Sequence, residues 1–179
     1  MRSLAVVGYL SIGLLSGLTG CSCDVTQQEL EEKNMAVVRQ THAALASGDL
    51  DGFKAALAPN YVRHCQAMPP ELQEIRGIEP FLAFIEEFVS GVGVYQDTIG
   101  PMIAQGDMVA YVSTMTGTQT GPIGDLPASG KTFTVVNIII QRLEDGKVAE
   151  TWVSWDNVAM LSQLGFFPPP GPTQEPGSS

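Results

Sequence analysis

The spacing of apolar residues changes once along this chain, from roughly helical to roughly alternating. Over Thr26–Ser47, Leu30, Val37, Val38 and Leu45 recur near helical spacing, as one buried face of a helix requires. Thr26 with Glu29 three residues on fits a capping box. Gly48 ends this helix, and Asp49 or Asp51 caps a short second one reaching about Leu57. "APNYVRHC" turns at Pro59–Asn60 into a short extended piece. Pro69 and Pro70 then deny a continuous helix or a central strand. A third helix is predicted over Ile78–Val92, with Phe81, Leu82, Ile85, Phe88 and Val89 on its apolar face. Glu79, Glu86 and Glu87 form the wet face.

Beyond Val92 the period shortens. "VYQDTIGPMIAQGDMVAYVSTMTGTQTG" reads as two strands joined at Gln105–Gly106–Asp107. "SGKTFTVVNIIIQRL" is a long β-branched strand. Asp145–Gly146 is a hairpin turn, "VAETWVSWD" the last strand, and "NVAMLSQLG" a short helix closing at Gly165. Three helices followed by a strand meander predict an α+β fold, with the helices packed on one face of a curved antiparallel sheet. Period-two alternation places Trp152, Ser154 and Asp156 on one face of the last strand and Trp155 on the other.

Both ends stand apart from that block. Arg2, the apolar run Leu4–Leu18 and "LTGC" resemble the signal and lipobox of bacterial lipoproteins. The run falls short of the roughly 20 residues of a spanning helix. The resemblance implies a signal peptide over 1–20 and lipidation at Cys21. It also implies export and anchoring to a membrane of the bacterial cell envelope, the outer membrane in a Gram-negative host given Ser22. Residues 21–25 form a tether, 26–167 the domain, and 168–179, "PPPGPTQEPGSS", a disordered or polyproline-like tail. In that compartment a Cys23–Cys65 disulfide is permitted; the other reading of Cys65 is a small buried hydrophobe.

Nine basic against nineteen acidic residues, a net charge of −10, argue against nucleic acid as a partner. The same balance argues against a polybasic grip on anionic lipid. No CxxC, HExxH or acidic calcium loop is present, so no metal site is expected. "SGVGV" follows a helix rather than a strand and fails as a phosphate loop.

"LASGDLDGF", "YVRH", "RGIEPFLAFI" and "VNIIIQRLEDGKVAETWVSWDNVAMLSQLG", in that order between Asn34 and Gly165, resemble segments of the SnoaL-like polyketide cyclase and ester-cyclase family. That family lies within the nuclear transport factor 2-like superfamily. The resemblance implies a cone with a deep apolar pocket between the helices and the concave sheet. It implies a small apolar carbonyl ligand, no cofactor, no metal, and pairing into a homodimer through the exposed sheet face. In the family's cyclases an acidic side chain removes a proton beside a carbonyl, and an intramolecular aldol closure follows. Asp156 occupies that position here. Many members carry His before the Trp, where this chain has Thr151, and a polar residue after it, where this chain has Val153.

Asp156 therefore has two readings, a base in an apolar pocket or the cap of the following helix. His64 is its expected partner, and Trp152 the pocket wall. Tyr61, Tyr111 and Asn137 are candidate hydrogen-bonding groups in the cavity. His42 reads as a polar residue on the surface or core edge of the first helix, and Met102, Met108 and Met115 as core filler. The chain as a whole reads either as an acid–base enzyme of cyclase or isomerase type, or as a non-catalytic envelope lipoprotein that binds a ligand or a protein.

Overall fold

The computed structural model describes residues 22–93 and 95–168, with the backbone alone for 22–26. The signal segment, Cys21 and residues 169–179 lie outside the described residues, as does the side chain of Cys23. Helix α1 spans Ser22–Ser47, α2 Leu50–Ala55, strand β1 Leu57–His64, β2 Glu74–Arg76 and α3 Ile78–Val92. Then come β3 Tyr95–Gln105, β4 Met108–Thr118, β5 Thr132–Glu144, β6 Lys147–Trp155 and α4 Asn157–Leu164.

Helix α1 begins four residues before the expected start at Thr26, inside the segment read as a tether. Side-chain bonds at helical spacing, Gln27 to Glu31 and Gln28 to Glu32, each 2.9 Å, support its exposed first turns. Asp49 caps α2, its Oδ1 accepting from the Gly52 amide at 2.9 Å. The two prolines interrupt the chain as the sequence requires, leaving a 3-10 turn over Pro70–Leu72.

The sheet order is β2-β1-β6-β5-β4-β3. Neighbours run antiparallel except β1 and β6, which are parallel, so the sheet is mixed rather than purely antiparallel. No hairpin joins β1 to β6, and the long stretch between them leaves their mutual direction free. The β5–β6 hairpin turns through Asp145 (φ 50°) and Gly146 (φ 73°), the paired positive φ values of a type I′ turn. The register shifts between Ile99 and Met102, and such irregularities bend a strand and let a sheet curl.

Burial alternates without a break along β5. Phe133, Val135, Asn137, Ile139, Gln141 and Leu143 are buried, while Thr134, Val136, Ile138 and Ile140 are exposed. The buried face is the inner one. Helix α1 packs over β3 and β4, α3 over β1 and α4 over β5. Val38, Val109, Tyr111, Ile139 and Leu143 form the core under α1. Phe53, Leu57, Tyr61, Phe81 and Ile85 fill the space beside α2 and α3. Cys65 is fully buried. Gly117 lets the end of α3 approach β4, because a Cβ there would sit 2.5 Å from Val92 Cγ1.

Candidate functional site

Strand register decides which side chains meet on the inner face. Arg63 on β1 is level with Thr151 on β6, and Thr151 with Gln141 on β5. The next inward row holds Val153, Ile139 and Tyr111. Beyond it stand Trp155, Asn137 and Ser113. Asp97 on β3 lies past these, opposite Met115. An apolar row thus separates two polar ones, and Tyr111 stands at the β4 end of it.

Some of these polar groups satisfy one another. Gln141 Nε2 donates to Thr151 Oγ1 at 3.2 Å, and Asn137 Nδ2 donates to Ser113 Oγ at 3.2 Å. His42 reaches down from α1, its Nε2 3.0 Å from Asp97 Oδ2, with both side chains largely shielded from solvent. An ionised carboxylate only accepts, so this contact places a proton on Nε2. The edge of Tyr111 meets the same imidazole, with ring centroids 6.4 Å apart at 83°.

Other groups are not satisfied. Arg63 Nη1, Asp97 Oδ1, Gln141 Oε1 and Trp155 Nε1 are buried with no hydrogen-bond partner. Leaving one such group unpaired costs about 1–3 kcal/mol. All four side chains belong to the inner rows. Burial pushes the Tyr61 hydroxyl up to about 12, against the opposing pull of Thr151 and Arg63. Burial raises Tyr111 as well, helped by the negative charge of Asp97. Both phenols therefore stay neutral at physiological pH and can donate a hydrogen bond to a developing oxyanion. Burial lowers the proton affinity of Arg63.

The model of the SnoaL-like polyketide cyclase family matches residues 35–164. The chain belongs to this family. Among solved structures it is similar to TsrD from Streptomyces laurentii, at 31% identity over 75% of this chain and 96% of that one, with a TM-score of 0.64. IdmH from Streptomyces antibioticus, a candidate polyketide cyclase, is 27% identical over 74% of this chain and 98% of that one, with a TM-score of 0.62. A candidate SnoaL-like polyketide cyclase from Jannaschia sp. CCS1 shares the fold, with a TM-score of 0.70 at 24% identity over 79% of this chain and 96% of that one. No curated protein matches the chain.

Within this SnoaL-like domain, the residues expected to form the site divide between the two faces. Tyr61, Tyr111 and Asn137 are buried on the inner face. Trp152 and His64 are not there. Trp152 is level with Ile140 on β5 and with His64 on β1, all on the outer face. The two rings stack at 5.3 Å and 14°. His64 Nε2 lies 2.8 Å from Glu150 Oε1 and its Nδ1 3.5 Å from Glu74 Oε2. Asp156 is exposed, its Oδ1 accepting from the Ala159 amide at 2.9 Å as the N-cap of α4. It is not turned inward beside Trp152. The parity expected for β6 is reversed because pairing with β5 sends Thr151, Val153 and Trp155 inward.

The structure thus joins His42 to Asp97 and turns Arg63, Gln141 and Trp155 onto the same inner face, none of which the sequence placed at the site. A sequence signal did exist for Asp97. It alternates with Tyr95 and Ile99, which like it are the shielded positions at the start of the strand. Among the described residues, no cluster of three or more His, Cys, Asp or Glu side chains could hold a metal. Two surface grooves of about 400 and 410 Å³ lie elsewhere, one along α1 and α2 and one beside the start of α3.

The outer cluster gives a pH prediction. The His64 hydrogen bond, followed by Arg142, holds the Glu150 carboxyl below its ordinary range, and Arg142 Nε donates to Glu150 Oε2 at 3.3 Å. A depressed folded-state value means stability that is present above pH about 4.5 and lost as pH falls through the folded value. His64→Ala should therefore flatten the acid limb of a Tm-against-pH curve. An unchanged limb would show that the pair contributes nothing there.

Proposed function

We propose that this SnoaL-like domain holds a small carbonyl compound against the inner sheet face and moves a proton on it without a cofactor. Asp97 Oδ1 removes a proton from the carbon beside the carbonyl; the electron pair of that C–H bond forms a C=C bond and the C=O π pair moves onto the carbonyl oxygen. Tyr111 donates a hydrogen bond to this oxygen, and His42 holds the carboxylate in place. Return of the proton to another carbon of the conjugated enolate gives isomerisation; attack of the enolate carbon on a second carbonyl in the same molecule gives cyclisation, the proton on Asp97 passing to the alkoxide so formed. The observation that carries the reading is the shielded His42–Asp97 contact at 3.0 Å, with the other carboxylate oxygen of Asp97 left without a partner. The test is deuterium exchange at the α-carbon of a ketone panel, followed by NMR with wild-type protein and Asp97→Asn. Equal exchange by the two would end the proposal.

A second reading, ligand binding without catalysis, is favoured by the exposed, capping position of Asp156. It requires ketones to bind with no exchange at all.

Two further proposals concern the setting of the domain. The "LTGC" motif supports an exported lipoprotein anchored through Cys21. Among the described residues no helix is long and apolar enough to cross a membrane. Palmitate labelling of cells should mark the wild-type chain and miss Cys21→Ser. Labelling of both would refute the anchor. The outer sheet face supports a homodimer, since Val136, Ile138 and Ile140 are 54%, 62% and 38% exposed on one strand beside Trp152. Ile138→Lys should convert a dimer into a monomer by light scattering with little change in Tm, and a monomeric wild type would rule the dimer out.

A further inference from the structure

We propose that Arg63 makes the site selective for a ligand carrying one carboxylate. The proposal rests on the reading that the inner sheet face is the ligand site, but not on catalysis there. Arg63 is 5% exposed, and its Nη1 has no hydrogen-bond partner. Among the described residues it enters no ion pair, although carboxylates are plentiful in a chain with nineteen of them. The contrast with other arginines is direct. Arg76 Nε lies 2.7 Å from Glu74 Oε1, and Arg142 pairs with Glu150 and Glu144. Both of those are surface groups.

Among the described residues no carboxylate pairs with Arg63, and its neighbours are aromatic or weakly acidic. The Phe84 ring lies 4.7 Å from the guanidinium carbon. The Cys65 side chain hydrogen-bonds to the guanidinium and the Tyr61 hydroxyl, which stays neutral, lies near it, so Nη1 is the nitrogen left without a partner. Burying a cation without an anion is strongly unfavourable, and burial accordingly weakens the hold of Arg63 on its proton. The planar guanidinium fork matches a carboxylate in a way that an ammonium does not.

Two features favour a monoanion over a phosphate dianion. Among the described residues the inner rows hold a single permanent cation, with no second Lys or Arg beside Arg63. The chain already carries a net charge of −10, so a second negative charge on the ligand would be repelled.

The test uses the full chain in detergent and three probe acids of increasing size: benzoate, 2-naphthoate and anthracene-2-carboxylate. Each is compared by calorimetry with its primary amide, and 2-naphthyl phosphate is added as the dianion. We expect at least one acid to bind about tenfold or more tightly than its amide, equivalent to about 1.4 kcal/mol. Arg63→Met should erase that preference. Should Arg63→Met not fold, Arg63→Gln carries the same test. An acid preference absent from the wild type, or surviving in the folded variant, overturns the proposal. Tighter binding of 2-naphthyl phosphate than of 2-naphthoate overturns the carboxylate assignment. Equal binding of acids and amides would remove the role of Arg63 and leave the inner face as the ligand site. Unchanged deuterium exchange in Asp97→Asn would remove the proton-transfer reading and leave Arg63 untouched.

Discussion

Replacing Asp97 with Asn should slow α-proton exchange by about 10²–10⁴-fold, the usual contribution of a positioned base. That corresponds to about 3–5 kcal/mol of barrier. The substitution suits the purpose because it keeps the shape of the side chain. The amide oxygen can still accept from His42 Nε2, which lies 3.0 Å from the native carboxylate. What disappears is the ability of the other oxygen, unpartnered in the fold, to take up a proton. Ketone binding should change far less than exchange, so the loss belongs in kcat rather than KM. Asp156→Asn is the matching control. Asn caps a helix about as well as Asp, so the Ala159 contact and the exchange rate should both survive. If Asp156→Asn abolishes exchange and Asp97→Asn does not, the chemistry belongs to the exposed end of β6 and not to Asp97.

Why the sequence pointed to Asp156 rather than Asp97 has a physical answer. Helix α3 was legible to the residue, because its apolar face and glutamate face separate cleanly. The Asp145–Gly146 turn was legible because a paired positive φ needs those residues. The parity of β6 was not. "TWVSW" has large side chains in both phases, and its neighbour "NIIIQ" is apolar in both. Nothing local therefore says which side is inside. Pairing settles it: Asn137 and Gln141 point in, so Trp155 and Thr151 do too, while Trp152 goes out with Ile140. An outer face bearing Val136, Ile138 and Ile140 looks like a core in sequence. The site was hidden for a similar reason. His42 and Asp97 are 55 residues apart on a helix and an edge strand, and neither belongs to a recognisable motif. Arg63 alternates with Tyr61 and Cys65, which are buried, so strand parity turns it inward, and both the β1–β2 and the β1–β6 register agree. What hides it in the sequence is that an arginine at such a position reads as a surface residue.

Phe133→Ala should lower stability by about 3–5 kcal/mol, the usual cost of emptying a large buried aromatic site. Phe133 is 1% exposed and lies in a cluster with Val92, Val135, Met160 and Leu164. These residues come from α3, β5 and α4, so the ring is where two helices meet the sheet. A domain of this size holds about 5–15 kcal/mol in total, which makes the loss a large fraction of the whole. At about 2–4 °C per kcal/mol, Tm should fall by roughly 6–20 °C. Phe133→Leu keeps most of the volume and should cost much less. The same cluster supports Trp155, whose indole nitrogen points into the inner face without a partner. A folded Phe133→Ala protein, assayed well below its Tm, should therefore also bind inner-face ligands more weakly than Phe133→Leu. Equal stability of the two variants would mean that the interior collapses around the missing ring. In that case the inner face is held by the hydrogen-bonded strands alone, and α4 contributes nothing to positioning Trp155.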